Sequence, residues 1–168
     1  MQKLKTLTLV MGILATSMAA ADTVTIKLHK TAKDGHQGEL VGTITATDTQ
    51  YGLLLTPDLK HMNPGWHGFH LHQNPSCDNG GEAAGSHFDP RPNKKHLGPY
   101  NDQGHLGDLP ALSIQRDGTD TQPVSAPRLT VAEIKGHSVI IHEGGDNYSD
   151  TPMPLGGGGA RIVCGVVK

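Results

Sequence analysis

The first alternating stretch of the chain is Thr23-Val24-Thr25-Ile26-Lys27-Leu28-His29-Lys30. Successive side chains of a β-strand point to opposite faces, so Val24, Ile26 and Leu28 would share one face and the polar residues the other. The stretch therefore predicts a strand with one buried face.

Seven further short stretches show a comparable pattern. They lie at residues 40–47, 51–55, 66–73, 111–116, 128–134, 137–142 and 160–167. The 22 glycines and 11 prolines of the chain supply turns between such segments. Eight short strands separated by turns predict an all-β, antiparallel sandwich or barrel. Two long segments without a strand pattern, 74–110 and 143–159, would then be loops with a function of their own.

The N-terminus has the organisation of a secretory signal peptide. Lys3 and Lys5 precede the apolar residues 7–11 and 13–15, and three alanines at 19–21 form a cleavage site. The apolar part is shorter than the roughly 20 residues of a membrane span. We therefore expect residues 1–21 to be removed, leaving one exported domain at 22–168 with no membrane contact.

Charge and cysteine content narrow the function further. Lys and Arg total 14 against 16 for Asp and Glu, a net charge of -2, which provides no general basic surface for nucleic acid or an anionic membrane. Export places the chain where disulfides persist, so its two cysteines, Cys77 and Cys164, predict one bridge, with two free buried thiols as the alternative. The 11 histidines turn attention to metal chemistry.

Two histidines share one face of a predicted strand. In His67-Gly68-Phe69-His70-Leu71-His72, the period of two sends Phe69 and Leu71 into the core and His70 and His72 to the other face. Their rings could converge on one ion outside the sheet, beneath a loop. His67 points inward by the same alternation, and we expect it to be a buried, hydrogen-bonded structural residue.

The long loop at 74–110 carries the next candidates. His87, His96, His105 and Asp108 make a closed set of three imidazoles and one carboxylate, which suits structural zinc. His142 follows an apolar strand, and an imidazole joining His70 and His72 would favour copper. His29, His36, His61 and His137 border turns or polar strand faces and are expected at the surface.

Together these segments resemble the copper/zinc superoxide dismutases, especially the exported bacterial form. The resemblance extends from Val24 to Val167 and is most specific in the motifs at 68–72, 85–90, 104–108 and 159–165. It implies a Greek-key arrangement of the eight strands, a periplasmic location, and copper and zinc as cofactors. It leaves both a monomer and a homodimer open.

The resemblance also implies the role of each site residue. Copper would be bound by His70, His72, His87 and His142, and zinc by His87, His96, His105 and Asp108, so that His87 bridges the two metals. Asp146 would hydrogen-bond His70 and His96 from outside the ligand shell, and Cys77 would pair with Cys164.

The implied reaction converts superoxide to dioxygen and hydrogen peroxide by alternating reduction and oxidation of copper. His87 would exchange a proton with the product, and Arg161 would guide the anion to copper. Lys60 is a second candidate guide, although a solvated surface lysine is the preferred interpretation. Gly156 to Gly159 would form a turn that admits Arg161 to the site.

Three other functions compete with this hypothesis. A copper or zinc carrier would have the same ligands but no need for an anion guide such as Arg161. A zinc hydrolase needs an open zinc position, which a set of three histidines and Asp108 fills. A non-catalytic adhesion sandwich would need none of these histidines.

Overall fold

A computed structural model of the chain describes residues 21–33 and 37–168. The predicted signal peptide, apart from Ala21, lies outside the described residues. Those residues form nine strands, one short α-helix and two 3-10 helices. The elements are β1 (Thr23–Lys30), β2 (Leu40–Thr49), β3 (Gly52–Leu59), β4 (Gly65–His67), β5 (Phe69–His72), η1 (Glu82–Ala84), β6 (Leu112–Ile114), β7 (Val124–Ala126), α1 (Val131–Ile134), β8 (Ser138–His142), η2 (Pro154–Gly157) and β9 (Arg161–Val166). No helix within the described ranges is both long and apolar enough to cross a membrane.

Seven strands form one antiparallel sheet in the order β5-β8-β9-β1-β2-β3-β7, while β4 pairs with β6. Strands β1, β2 and β3 are consecutive neighbours, and β9 returns from the far end of the chain to pair with β1. A distant strand that returns beside the first of three consecutive strands is the mark of a Greek key. The predicted all-β, antiparallel class is confirmed.

The core follows the alternation seen in the sequence. Ile26 of β1 faces Ile44 of β2, and both side chains are buried in one apolar cluster. Phe69 and Leu71 of β5 belong to the same cluster, as predicted. Burial of such side chains stabilises the fold by about 1.5 to 3 kcal/mol each. The core thus fixes β5 with its histidines on the opposite face.

The predicted strand at 128–134 is wrong. The strand of this region is β7, which ends at Ala126, and residues 131–134 form α1. The Thr130 side chain accepts a hydrogen bond from the Glu133 backbone N–H, and the Glu133 carboxylate accepts one from the Thr130 N–H. This capping box starts a helix and buries Val131 and Ile134 on one helical face. Apolar spacing alone did not distinguish that face from a strand.

The predicted strand at 66–73 is divided at Gly68 between two sheets, because β4 pairs with β6 and β5 pairs with β8. At the break the Gly68 N–H donates to the Gly144 carbonyl, and the Gly68 carbonyl accepts from the His142 N–H. His67 is buried, and its ring nitrogens lie 2.7 Å and 2.8 Å from the carbonyl oxygens of His142 and Asn63. His67 is therefore a structural residue, as expected.

The predicted disulfide between Cys77 and Cys164 is present. It joins the loop after β5 to β9 across a sequence separation of 87 residues. Ala84 and Ile140 pack around Cys164 in a small buried cluster of their own. The bond therefore ties the start of the long loop to the sheet.

We predict that replacing both cysteines by serine, in the double variant Cys77→Ser/Cys164→Ser, lowers the free energy of unfolding by about 4 to 5 kcal/mol. This is the chain-entropy value for closing a loop of that length. Urea unfolding of the two metal-free proteins measures the difference. A loss below about 1 kcal/mol would show that the bond does not restrain the unfolded chain as described.

Candidate metal centre

Four buried histidines from three parts of the chain meet at one place. His70 and His72 lie on β5, His142 ends β8, and His87 lies in the long loop, where it forms an isolated bridge with His72. One ligand atom from each ring lies within 4.8 Å of the others. The loop covers the outer face of β5, so both of its histidines are fully buried.

Backbone carbonyls fix which nitrogen of two of these rings carries the proton. His72 Nδ1 lies 2.9 Å from the Gly85 carbonyl oxygen, and His142 Nδ1 lies 3.1 Å from that of Gly159. A carbonyl only accepts, so in each neutral ring Nδ1–H donates and Nε2 keeps a lone pair. Both Nε2 atoms are buried without a hydrogen-bond partner among the described residues.

His70 is oriented in the opposite sense by a carboxylate. Its Nε2 lies 2.8 Å from Asp146 Oδ2, so Nε2–H donates and Nδ1 keeps the lone pair. That Nδ1 is also buried, with no partner in the described part of the chain. Buried polar atoms are normally satisfied, and three converging lone pairs are satisfied by a cation. The donor set therefore fits a metal that prefers nitrogen ligands.

A second buried cluster is built around one carboxylate oxygen. Asp108 Oδ1 lies 3.0 Å from His87 Nδ1, 2.9 Å from His96 Nδ1 and 3.2 Å from His105 Nδ1. The other oxygen, Oδ2, accepts the backbone N–H groups of Leu97 and Gly98. Three imidazole nitrogens and one carboxylate oxygen are the closed donor set of structural zinc.

His96 lies between two carboxylates and can donate a hydrogen bond to both only if its ring is positively charged. Its Nδ1 faces Asp108 and its Nε2 lies 2.7 Å from Asp146 Oδ1. A neutral imidazole has one N–H and cannot donate to both. Burial by itself lowers the pKa of His96, but the hydrogen bonds to Asp108 and Asp146 outweigh it and raise the pKa to about 9. A metal bound at the Nδ1 side would supply the same charge.

Asp146 therefore links the two clusters, through His70 on one oxygen and His96 on the other. Such outer partners fix the tautomer and orientation of metal-binding rings. The loop reaches this position through Gly156, which has a φ of 76° and on which a Cβ would collide with the Asp146 carboxylate and His96 Nε2. Gly156 therefore permits the loop to approach Asp146 and His96. This role differs from the predicted one of admitting Arg161 to the site. A Cβ on Gly158 would lie 3.0 Å from His142 Cβ and 3.1 Å from its ring Cγ, which is a less severe contact.

Arg161, at the start of β9, lies beside the four-histidine cluster. Its Nη1 donates to the Gly81 carbonyl at 2.7 Å, and its Nη2 donates to the Gly85 carbonyl at 2.8 Å. The Gly85 carbonyl also accepts from His72, so one oxygen connects the guanidinium to a ring of the cluster. Arg161 Nε lies 3.8 Å from the exposed carboxylate of Glu82.

Sequence patterns gave no signal for two further groups at the site. Asp150 accepts the His96 backbone N–H at 2.9 Å and so ties the loop at 143–159 to the second cluster. Arg128 donates to backbone carbonyls around His105. Lys60 is exposed, in keeping with the preferred interpretation, and the exposed His61 hydrogen-bonds Glu39.

Comparison with known proteins agrees with this geometry. The sequence profile of the family described as "Copper/zinc superoxide dismutase (SODC)" matches residues 40–167. The chain belongs to the copper/zinc superoxide dismutase family.

Close relatives and solved structures extend the match over nearly the whole chain. A relative from Salmonella typhimurium, "Superoxide dismutase [Cu-Zn] 1", is 53% identical over 172 residues, which cover 96% of this chain and 97% of the relative. The Cu/Zn superoxide dismutase of Brucella abortus has a TM-score of 0.82 and 45% identity, covering 88% of this chain and 100% of that one. The monomeric enzyme of Salmonella enterica has a TM-score of 0.78 and 46% identity with the same coverage.

Family membership fixes the reaction and the cofactors. The protein is an oxidoreductase that uses copper and zinc to convert superoxide to dioxygen and hydrogen peroxide. Both histidine clusters are groups of described residues that could hold a metal ion, and a third such group, His70, His96 and Asp146, shares members with them.

Burial has a direct consequence for the metal-free protein. Burial first, with a smaller contribution from the nearby His87 ring, lowers the pKa of His70 to about 3, of His72 to about 2 and of His142 to about 4, from an ordinary value of 6.5. These rings are therefore neutral and ready to bind a metal at neutral pH.

We predict that the metal-free fold loses stability as the pH falls below 6.5. The unfolded chain then protonates His70, His72 and His142 while the folded chain does not, so acid favours the unfolded state. His96, with its raised pKa, acts in the opposite direction, chiefly above pH 6.5, and it is one ring against four because burial also lowers the pKa of His87. Urea unfolding of metal-free protein at pH 7 and pH 5 measures the change, and an equal or higher midpoint at pH 5 would contradict it.

Proposed function

We propose that the two clusters are the copper and zinc sites of this enzyme and that one ring serves both. In this proposal the copper ligands are His70, His72, His87 and His142, and the zinc ligands are His87, His96, His105 and Asp108. The observation that carries it is the position of His87. Its ring stacks on His70 with centroids 4.0 Å apart, and its Nδ1 faces Asp108 at 3.0 Å.

The chemistry of the donor sets supports the assignment of zinc to the cluster around Asp108 and of copper to the cluster of four histidines. Zinc has no redox change and favours a closed tetrahedral site, which the three imidazoles and the Asp108 carboxylate provide. Four imidazoles suit copper, which can change its oxidation state. Copper bound there supplies the one-electron changes by which two superoxide anions and two protons become dioxygen and hydrogen peroxide.

His87 is proposed to handle a proton as well as to bind metal. Its Nδ1 is directed at the zinc cluster, so Nε2 is the nitrogen left for the copper side and for carrying the proton. Asp146 holds the ring of His70 with Nδ1 free for copper. Its second bond, to His96, gives both clusters a common outer partner.

Arg161 is proposed to guide superoxide to the site. The chain has a net charge of -2, so attraction of an anion must come from local charge. Both Nη atoms of Arg161 are anchored on backbone carbonyls, which holds its charge beside His72. A local positive field can raise the rate of anion capture by 10- to 1000-fold and weakens as salt is added.

We predict that Arg161→Ala keeps copper bound, lowers kcat/KM by about 10-fold or more, and flattens the dependence of the rate on ionic strength. Metal analysis and superoxide decay at several salt concentrations measure both effects. Arg116→Ala, which removes an exposed arginine, serves as the control. Unchanged rates at every ionic strength would remove Arg161 from this role.

The ligand assignment predicts different losses from two matched variants. His142→Ala should lose copper, keep zinc and abolish turnover, because it removes a ligand of the first cluster alone. His105→Ala should lose zinc, keep copper and only weaken turnover. Metal content and superoxide decay are measured on the purified proteins. Loss of the opposite metal in either variant would overturn the assignment, and wild-type protein that retains both metals without turnover would favour a metal carrier.

The location and assembly of the enzyme are proposed on separate grounds. The signal-like sequence at 1–21 supports export to the periplasm, as a soluble domain at 22–168. The similarity to a Salmonella enterica enzyme described as monomeric supports a monomer over a homodimer. Fractionation of producing cells and sedimentation of the purified protein test the two proposals.

A further inference from the structure

The guanidinium of Arg128 lies outside both ligand sets but contacts the loop that carries one of them. Nε donates to the Pro99 carbonyl at 2.8 Å, and Nη2 donates to the carbonyls of Gly98 at 3.2 Å and His105 at 2.7 Å. Nη1 makes a longer bond of 3.5 Å to the Gly104 carbonyl. Every nitrogen of the side chain is therefore bonded to the segment between His96 and Asp108.

The backbone of Arg128 belongs to the strand framework and not to the loop that its side chain contacts. It follows β7 by two residues, and the next residue, Leu129, is buried in the main core and donates its N–H to the Ala126 carbonyl. Two residues later the Val131 N–H donates to Asp48 Oδ1. The side chain thus reaches from a fixed point on the framework to a loop 23 to 30 residues earlier in the chain.

The bonded segment has little regular structure to hold it. Residues 98–105 contain no helix or strand, yet His105 must present Nδ1 to Asp108 at 3.2 Å. A planar guanidinium with a fixed fork of donors can hold several carbonyls in one arrangement, which a flexible ammonium cannot do. The bond to the His105 carbonyl acts on the backbone of the ligand residue itself.

We propose that Arg128 is a positioning residue for the zinc site. Arg128 holds the segment from Gly98 to His105 so that the imidazole of His105 meets Asp108. This inference rests on the proposed zinc ligands. It gives Arg128 no contact with copper or superoxide, and its effect is on zinc affinity.

The charge of Arg128 and its hydrogen bonds would have opposite effects on zinc affinity, and this difference makes the proposal testable. A positive charge near the site repels Zn²⁺, so a role for charge alone would make removal of Arg128 strengthen zinc binding and would make lysine equivalent to arginine. A role for the fork of donors makes lysine deficient although it keeps the charge. Arg128→Lys separates the two.

The experiment measures zinc affinity of the copper-loaded protein by competition with a chelator. We expect Arg128→Lys to lower zinc affinity by about 10- to 100-fold, as loss of an outer partner does. We expect copper content to stay the same. Arg116→Lys, at an exposed position, should match wild type. The visible absorption of Co²⁺ bound in place of zinc should change in Arg128→Lys, because it reports the geometry of the ligands, which general stability does not alter.

Zinc affinity and a Co²⁺ spectrum of Arg128→Lys equal to those of Arg116→Lys would overturn the inference while leaving the proposed zinc ligands intact. Wild-type protein that binds no zinc would instead overturn those ligands.

Wild-type protein offers a second measurement that does not depend on a variant folding. The side-chain N–H resonances of Arg128 should exchange slowly with solvent and shift when zinc is removed, while those of Arg116 should not. Arg128 side-chain N–H resonances that exchange rapidly with solvent and do not shift when zinc is removed would also overturn the proposal.

Discussion

Six imidazole rings and two carboxylates are packed out of contact with bulk water at one side of the sheet, and this is stable only if their lone pairs meet positive charge. The Asp108 oxygen facing three ring nitrogens is the centre of this constraint. Two metal ions bound at the proposed sites would satisfy this constraint, whereas protons would satisfy it only in part. The requirement explains why loops of this length are held so closely over the outer face of β5.

The framework and the loops divide the work between them. Core packing of Phe69 and Leu71 fixes the face on which His70 and His72 stand. The long loop and the end of β8 then supply the remaining proposed ligands. Backbone carbonyls and Asp146 decide which nitrogen is free in the rings of His70, His72 and His142. The strands thus hold three of the four histidines of the first cluster, and the long loop holds every residue of the second.

The sequence predicted the strands with one buried face well, because burial on a pleated strand imposes a period of two. It failed at 128–134, where Leu129 and Val131 imitate that period while a capping box at Thr130 starts a helix. The candidate ligands came from residue type, spacing and family resemblance. The carbonyl partners of the rings and the fork of Arg128 leave no such pattern, since backbone groups are the same in every residue and the contacts join distant segments.

A shared His87 ring is the central claim, and filling both clusters with Cu²⁺ tests it directly. Two copper ions joined through one imidazolate are magnetically coupled, so the electron paramagnetic resonance signal of the first ion should diminish as the second site fills. Two independent signals that add to full intensity would contradict a bridging ring.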